Sequence, residues 1–202
     1  MKGFAGMNHQ EFTWTLSEAV QLPENERYAR FMQVHAVIWK EYQQAIKAIS
    51  PAMAAEISRD RRSIALVVGH IAEWDRFFIQ MCAEFLAGVP RPRAWRLKGF
   101  IGTDGSVMDF DNIEAFNQYQ MKRQAELPWE EIQQTALRAG EVLFHLFSTP
   151  GLMDAAQLEN SKPGRWQLPG YSGEVPLAWM VWVVIMEHEG VEHALDVGIK
   201  AL

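Results

Sequence analysis

Cysteine is nearly absent: Cys82 is the only one in 202 residues. A disulfide framework within the chain is thereby excluded, which suits a reducing cytoplasm. Cys82 falls in an apolar helical stretch and reads as a small core residue, not a nucleophile. Long apolar runs are missing too. The longest, Val175 to Met186, is too short to cross a bilayer, and Met1 to Glu11 lacks the apolar centre of a signal peptide. We therefore expect a cytoplasmic protein with no membrane partner. Basic residues are outnumbered, leaving a net charge of −6. Phosphate backbones need the opposite balance, so no nucleic-acid partner is expected. The cluster Arg91, Arg93, Arg96 and Lys98 runs against that trend and is read as a solvated loop. No glycine-rich phosphate loop, GxSxG elbow or paired CxxC occurs, so nucleotide, serine-hydrolase and zinc-ribbon chemistries lack support.

Hydrophobic residues are plentiful. They make up 49%, with eight Trp, eleven Phe and ten Met, enough for one folded domain with a substantial core. Residues 1–22 read as an N-terminal extension, with Phe12, Trp14 and Leu16 in a run too short to assign. Residues 23–202 read as the helical domain. Pro23, with Glu24 and Glu26, opens a first long helix that carries Phe31, His35, Ile38, Trp39, Tyr42 and Ile46 inward until Ser50-Pro51. A short helix, Pro51 to Ile57, precedes a second long one from about Asp60 to Leu86. Its inward face is Ser63, Val67, His70, Trp74, Phe77, Phe78, Met81 and Phe85. Gly88-Val89-Pro90 ends it.

Arg91 to Phe110 reads as a long loop, and such loops are often functional. Asp111 to Glu126 predicts a helix with Ile113, Phe116, Gln120 and Met121 inward. Trp129 to Phe147 predicts another, and a last one runs from about Val175 to Ala201. No run alternates cleanly enough to demand a sheet. The expected class is all-α: a four-helix bundle with long crossover loops.

The chemistry-bearing stretch is Glu187 to His193. On a regular α-helix Glu189 and His193, four residues apart, share a face. Two ligands on one face can hold one metal ion if a third arrives from elsewhere, and His70 is the candidate third. His188 and Glu192 form a rival pair at the same spacing. The apolar rows around both pairs do not decide between them, although packing slightly favours His188. His35 lies on an inward stripe and reads as a core hydrogen-bonding group or a substrate contact.

Two phrases, Gly69 to Phe77 and His188 to Asp196, resemble the DinB/YfiT-like family of metal-dependent enzymes. The resemblance implies a four-helix bundle of that type, with one histidine ligand on the second long helix and two ligands four residues apart on the last. His188 and His193 are five apart and depart from that pattern. Anchoring downstream matches Glu189 and His193; anchoring upstream matches His188 and Glu192. We take the downstream match, so the implied ligands are His70, Glu189 and His193. The mycothiol-using maleylpyruvate isomerase branch has a similar His/Glu/His set.

Two histidines and one carboxylate suit catalytic zinc, with iron, nickel or manganese as alternatives. The resemblance implies a small-molecule substrate and, in some members, a low-molecular-weight thiol, hence a transferase or isomerase. A metal-dependent hydrolase, or a non-enzymatic stress-associated module with a decayed metal site, is the other reading. The aromatic-rich helices raise a homodimer as a further expectation. Trp74, Trp166, Tyr171 and the loop Arg91 to Phe110 are the expected walls of a pocket.

Overall fold

Chain punctuation sets the helix ends throughout the computed structural model, which describes residues 9–199. Helix α1 is His9–Ala19. Helix α2, Glu24–Ala48, opens behind Pro23 with Glu24 and Glu26 in its first turn, where the dipole favours carboxylates. Pro51 opens the single turn α3, Pro51–Ala54, capped by Ser50. Helix α4, Ile64–Leu86, is capped by Ser63, whose hydroxyl accepts from the Leu66 N–H. It starts later than the expected Asp60. That carboxylate is used in the preceding turn, accepting from Ser58 Oγ and the Arg62 N–H and Nε–H. Asn112 caps α5, Ile113–Gln124. Pro128 precedes α6, Trp129–Ser148, and Asp154 caps the short α7, Ala155–Glu159. Pro176 precedes α8, Leu177–Glu187.

Helix α6 packs along both α2 and α4, while α8 touches the same two helices and α5 lies along α4. Gly69 permits that last contact, because a Cβ there would stand 2.6 Å from Gln124 Oε1. Aromatic side chains fill the interior. Phe147 stacks on Trp182 with ring centroids 4.4 Å apart, and Phe31 meets Trp179 edge-on at 5.0 Å. The rings of α2 and α8 are thus turned into the core. No helix among the described residues is long and apolar enough to cross a membrane.

Several elements differ from the sequence expectation. Residues 9–19 form a helix that packs on α2 and α8, with Phe12 and Leu16 fully buried; residues 1–8 lie outside the described residues. The loop after α4 holds a 3-10 turn, Ala94–Arg96, and a small hairpin of β1, Phe100–Ile101, and β2, Val107–Met108. A larger hairpin pairs β3, Pro163–Leu168, with β4, Tyr171–Pro176. Pro169 and Gly170 close it, and Gly170 takes φ +75°, which the absent side chain makes easy. Trp166, Leu168 and Val175 alternate inward there; the density of Gly and Pro had masked that period. Ile113 and Met121, expected inward, are largely exposed.

Because Phe12 is fully buried, Phe12→Ala should lower unfolding free energy by about 3–5 kcal/mol. Urea denaturation measures this; an unchanged midpoint would make α1 a dispensable appendage.

Candidate metal centre

The last helix does not continue as an α-helix past Glu187. His188–Glu192 is one π turn, in which hydrogen bonds reach five residues instead of four. Five residues of α-helix rotate about 500°, leaving the first and last side chains about 140° apart. The wider turn shrinks that offset and brings His188 and His193 to one side. Gly190 makes the turn fit: a Cβ there would stand 2.6 Å from Ile38 Cγ2 on α2. The chain leaves the turn at His193, with φ −107° and ψ 7°.

Across from them stands His70 on α4. Nitrogens of His70, His188 and His193 all lie within 4.8 Å of one another. Each pair of ring centroids is 5.3 Å apart. His70 Nδ1 is 3.0 Å from Gln120 Oε1 on α5, and His188 Nδ1 is 3.2 Å from Glu192 Oε2. Both oxygens accept, so both Nδ1 atoms donate a proton and the two Nε2 atoms are left facing each other. Those two Nε2 atoms are 3.3 Å apart. Two lone pairs at that distance repel unless a proton or a cation lies between them.

Burial, helped by the charges of His188, Arg62 and His193, pushes the His70 pKa down to about 3, so His70 is a poor home for a proton at neutral pH. Two nitrogens bound tetrahedrally to zinc at its usual bond length stand about 3.3–3.4 Å apart. His193 Nε2 is buried and has no hydrogen-bond partner among the described residues, while its Nδ1 is 3.7 Å from Asp196 Oδ2. Glu192, held by the His188 hydrogen bond against the effect of burial, is pulled down to about 2 and stays ionised. The donor set has the chemistry of a divalent-metal site.

Glu189 is not in this cluster. The π turn directs it to the opposite wall, where it is fully buried with Oε2 3.7 Å from His35 Nε2. Gly140 on α6 leaves the space: a Cβ there would stand 3.2 Å from Glu189 Oε1 and 2.4 Å from the Trp39 ring. Burial raises the Glu189 carboxyl to about 8. The equally buried Asp75 is raised well above the carboxylate range by burial and by Glu189. His35 Nδ1 accepts from Trp182 Nε1 at 3.0 Å, and burial pushes its pKa down to about 3. Of the expected residues, then, His70 and His193 meet, His188 joins them from the rival pair, and Glu192 stands behind His188. Gln120 was read only as an inward helix position; its amide on a core stripe was the available signal.

A cavity of about 580 Å³ opens onto His70 and His188, within the usual range for small-molecule sites. Trp74 and the loop residues Trp95, Arg96 and Leu97 line it, as expected; Trp166 and Tyr171 do not. Trp74 Nε1 donates to Asn117 Oδ1 at 3.2 Å, fixing one wall.

No family model matches the sequence, and no curated protein matches it. Among solved structures, the chain is similar to the mycothiol-dependent maleylpyruvate isomerase, with a TM-score of 0.59, and to a histidine-to-alanine variant of that enzyme, with 0.58. Identity is 12% in each case and 91% of this chain is covered. The chain spans 64% of the length of those chains. At this identity the likeness is one of fold alone, a mostly helical one shared with that enzyme.

Two outcomes follow from the packing. Gly190→Ala should cost about 1–3 kcal/mol of stability, since Ile38 is a stiff, buried neighbour; a variant as stable as the parent in urea would show that the turn does not need this contact. His35 binds its proton more weakly folded than unfolded. Its own contribution to stability therefore falls as pH drops from about 6.5 towards 3, by up to about 1.4 kcal/mol per pH unit, against the opposite contribution of the raised Glu189 carboxyl. His35→Gln should flatten that slope in pH-dependent denaturation, and an unchanged slope would contradict it.

Proposed function

We propose that this chain is a metal-dependent enzyme of DinB-like fold, which holds a divalent ion on His70, His188 and His193 and uses a low-molecular-weight thiol on a small electrophile. In this reading α2, α4, α6 and α8 form the four-helix bundle that carries the centre, within a domain of residues 23–202. The observation that carries it is the convergence of three imidazoles, with two Nε2 atoms facing each other at 3.3 Å and a buried His193 Nε2 that makes no hydrogen bond among the described residues. An all-histidine set favours zinc, with iron or nickel next, over manganese.

Once bound, such an ion lowers the pKa of a thiol and polarises a carbonyl. The chain's own groups do the rest. Gln120 and Glu192 fix the tautomers of His70 and His188, and Asp196 lies behind His193. The carboxylates of Glu192 and Asp196 also balance part of the added positive charge. Trp74 and the α4 aromatics keep water from the reacting groups. Cys82 cannot supply the nucleophile: it is buried and pushed up to about 12. The thiol must then come from solution, in keeping with the thiol in the name of the structural neighbour.

Elemental analysis of the purified full chain should find one zinc per chain. His188→Ala and His193→Ala should each lose it, and Gln120→Leu should weaken zinc binding about 10-fold or more. Glu189→Gln should retain it. Full metal content in both histidine variants would sink the proposal, and loss of metal in Glu189→Gln alone would restore the two-histidine, one-carboxylate set.

A further inference from the structure

The cavity above the triad is unevenly furnished. Its α4 wall is Trp74, Phe77, Phe78 and Met81, and Val184 of α8 adds to it. Most polar groups that reach it are already engaged. Asn117 Oδ1 accepts from Trp74 and Glu192 accepts from His188. Glu187 Oε1 lies 3.1 Å from His9 Nδ1 on α1. Arg96 is the exception. It projects from the 3-10 turn at the exposed edge of the cavity, and its guanidinium has no ion-pair partner among the described residues. Of its neighbours in the basic cluster, Arg93 lies 3.9 Å from Glu84 and Lys98 lies 4.0 Å from both Asp109 and Asp111, while Arg91, like Arg96 without an ion pair among the described residues, lines a different pocket.

We propose that the cavity takes a ligand with an extended apolar body and a single carboxylate, the body lying along the α4 wall and the carboxylate held by Arg96. The planar guanidinium matches a carboxylate in two parallel hydrogen bonds. A small dianion fits less well, because it would leave most of the apolar α4 wall uncovered. A polyhydroxylated body fits less well too, since its hydroxyls would meet aromatic rings in place of water. The inference deepens the proposed enzymatic reading by naming the class of electrophile, and it relies on that reading for the reaction but not for these contacts.

Isothermal titration calorimetry of the full chain, as purified and with zinc added, tests it with sodium octanoate and octanamide as probes. Octanoate should bind about three- to tenfold more tightly than octanamide. Arg96→Gln should bring octanoate down to the amide's affinity while leaving the amide unchanged, and Arg96→Lys should keep part of the preference. The preference should persist in His193→Ala, whose zinc content is measured on the same samples.

Equal binding of the two probes, no binding of either, or a preference that survives Arg96→Gln overturns the inference. A preference that survives Arg96→Gln but disappears in His193→Ala overturns it in a specific way, by placing the carboxylate on the ion. Absence of zinc from the parent protein with the octanoate preference intact supports this inference while counting against the metal reading.

Discussion

The contact between Gly190 and Ile38 sets the geometry of everything near the site. The last helix must approach α2 closely at the point where its hydrogen bonding widens, and only a residue without a Cβ allows that. From this one approach follow three placements. His188 and His193 turn towards α4. Glu189 turns away from them, into the space that Gly140 leaves open. The chain then exits at His193 into the turns that carry Asp196. A helix continued at regular pitch would break the first of these placements and disturb the other two.

Polar groups are arranged on two sides of that turn, and they differ in how they are satisfied. On the triad side, two of the imidazoles have a fixed partner on Nδ1, from α5 or from the turn itself. Their Nε2 atoms face each other at 3.3 Å, and burial pushes the His70 pKa down. On the far side, His35, Tyr42, Asp75 and Glu189 are buried with oxygens or nitrogens that make no hydrogen bond among the described residues. Burial there drives both carboxyls towards their neutral form, which lowers the penalty of keeping them out of water. The two sides share the turn but divide the work: one presents donors to a cavity, the other is sealed behind Trp182 and Trp39.

Much of the helical frame was legible in the sequence. Pro23, Ser50-Pro51, Gly88, Pro128 and Pro150 mark helix ends by fixed or missing backbone options, and the inward faces of α2 and α4 follow from apolar period. The hairpin of β3 and β4 was hidden because its Pro-Gly turn and short strands share composition with a loop. Helix α1 was hidden because Phe12 and Leu16 gain their burial only from α2 and α8, which are distant in sequence. His70 and His193 were readable as candidates from residue type and helical position. That His188 stands beside them was not, since an α-helical ruler separates residues five apart. No side chain in the stretch demands a π turn; Gly190 only leaves room for it against Ile38.

The π turn has a consequence for how such chains are compared. One extra residue in a ligand-bearing helix is taken up locally by a change of pitch, and the donors on either side of it still converge. His188 and His193 are five residues apart, where the DinB-like resemblance implies a spacing of four. Counting four residues back from His193 therefore lands on Glu189, which lies by His35, whereas the imidazole facing His70 is His188. Ligand identity in helices of this kind is better traced through the backbone's hydrogen-bond ladder than through counting along the chain.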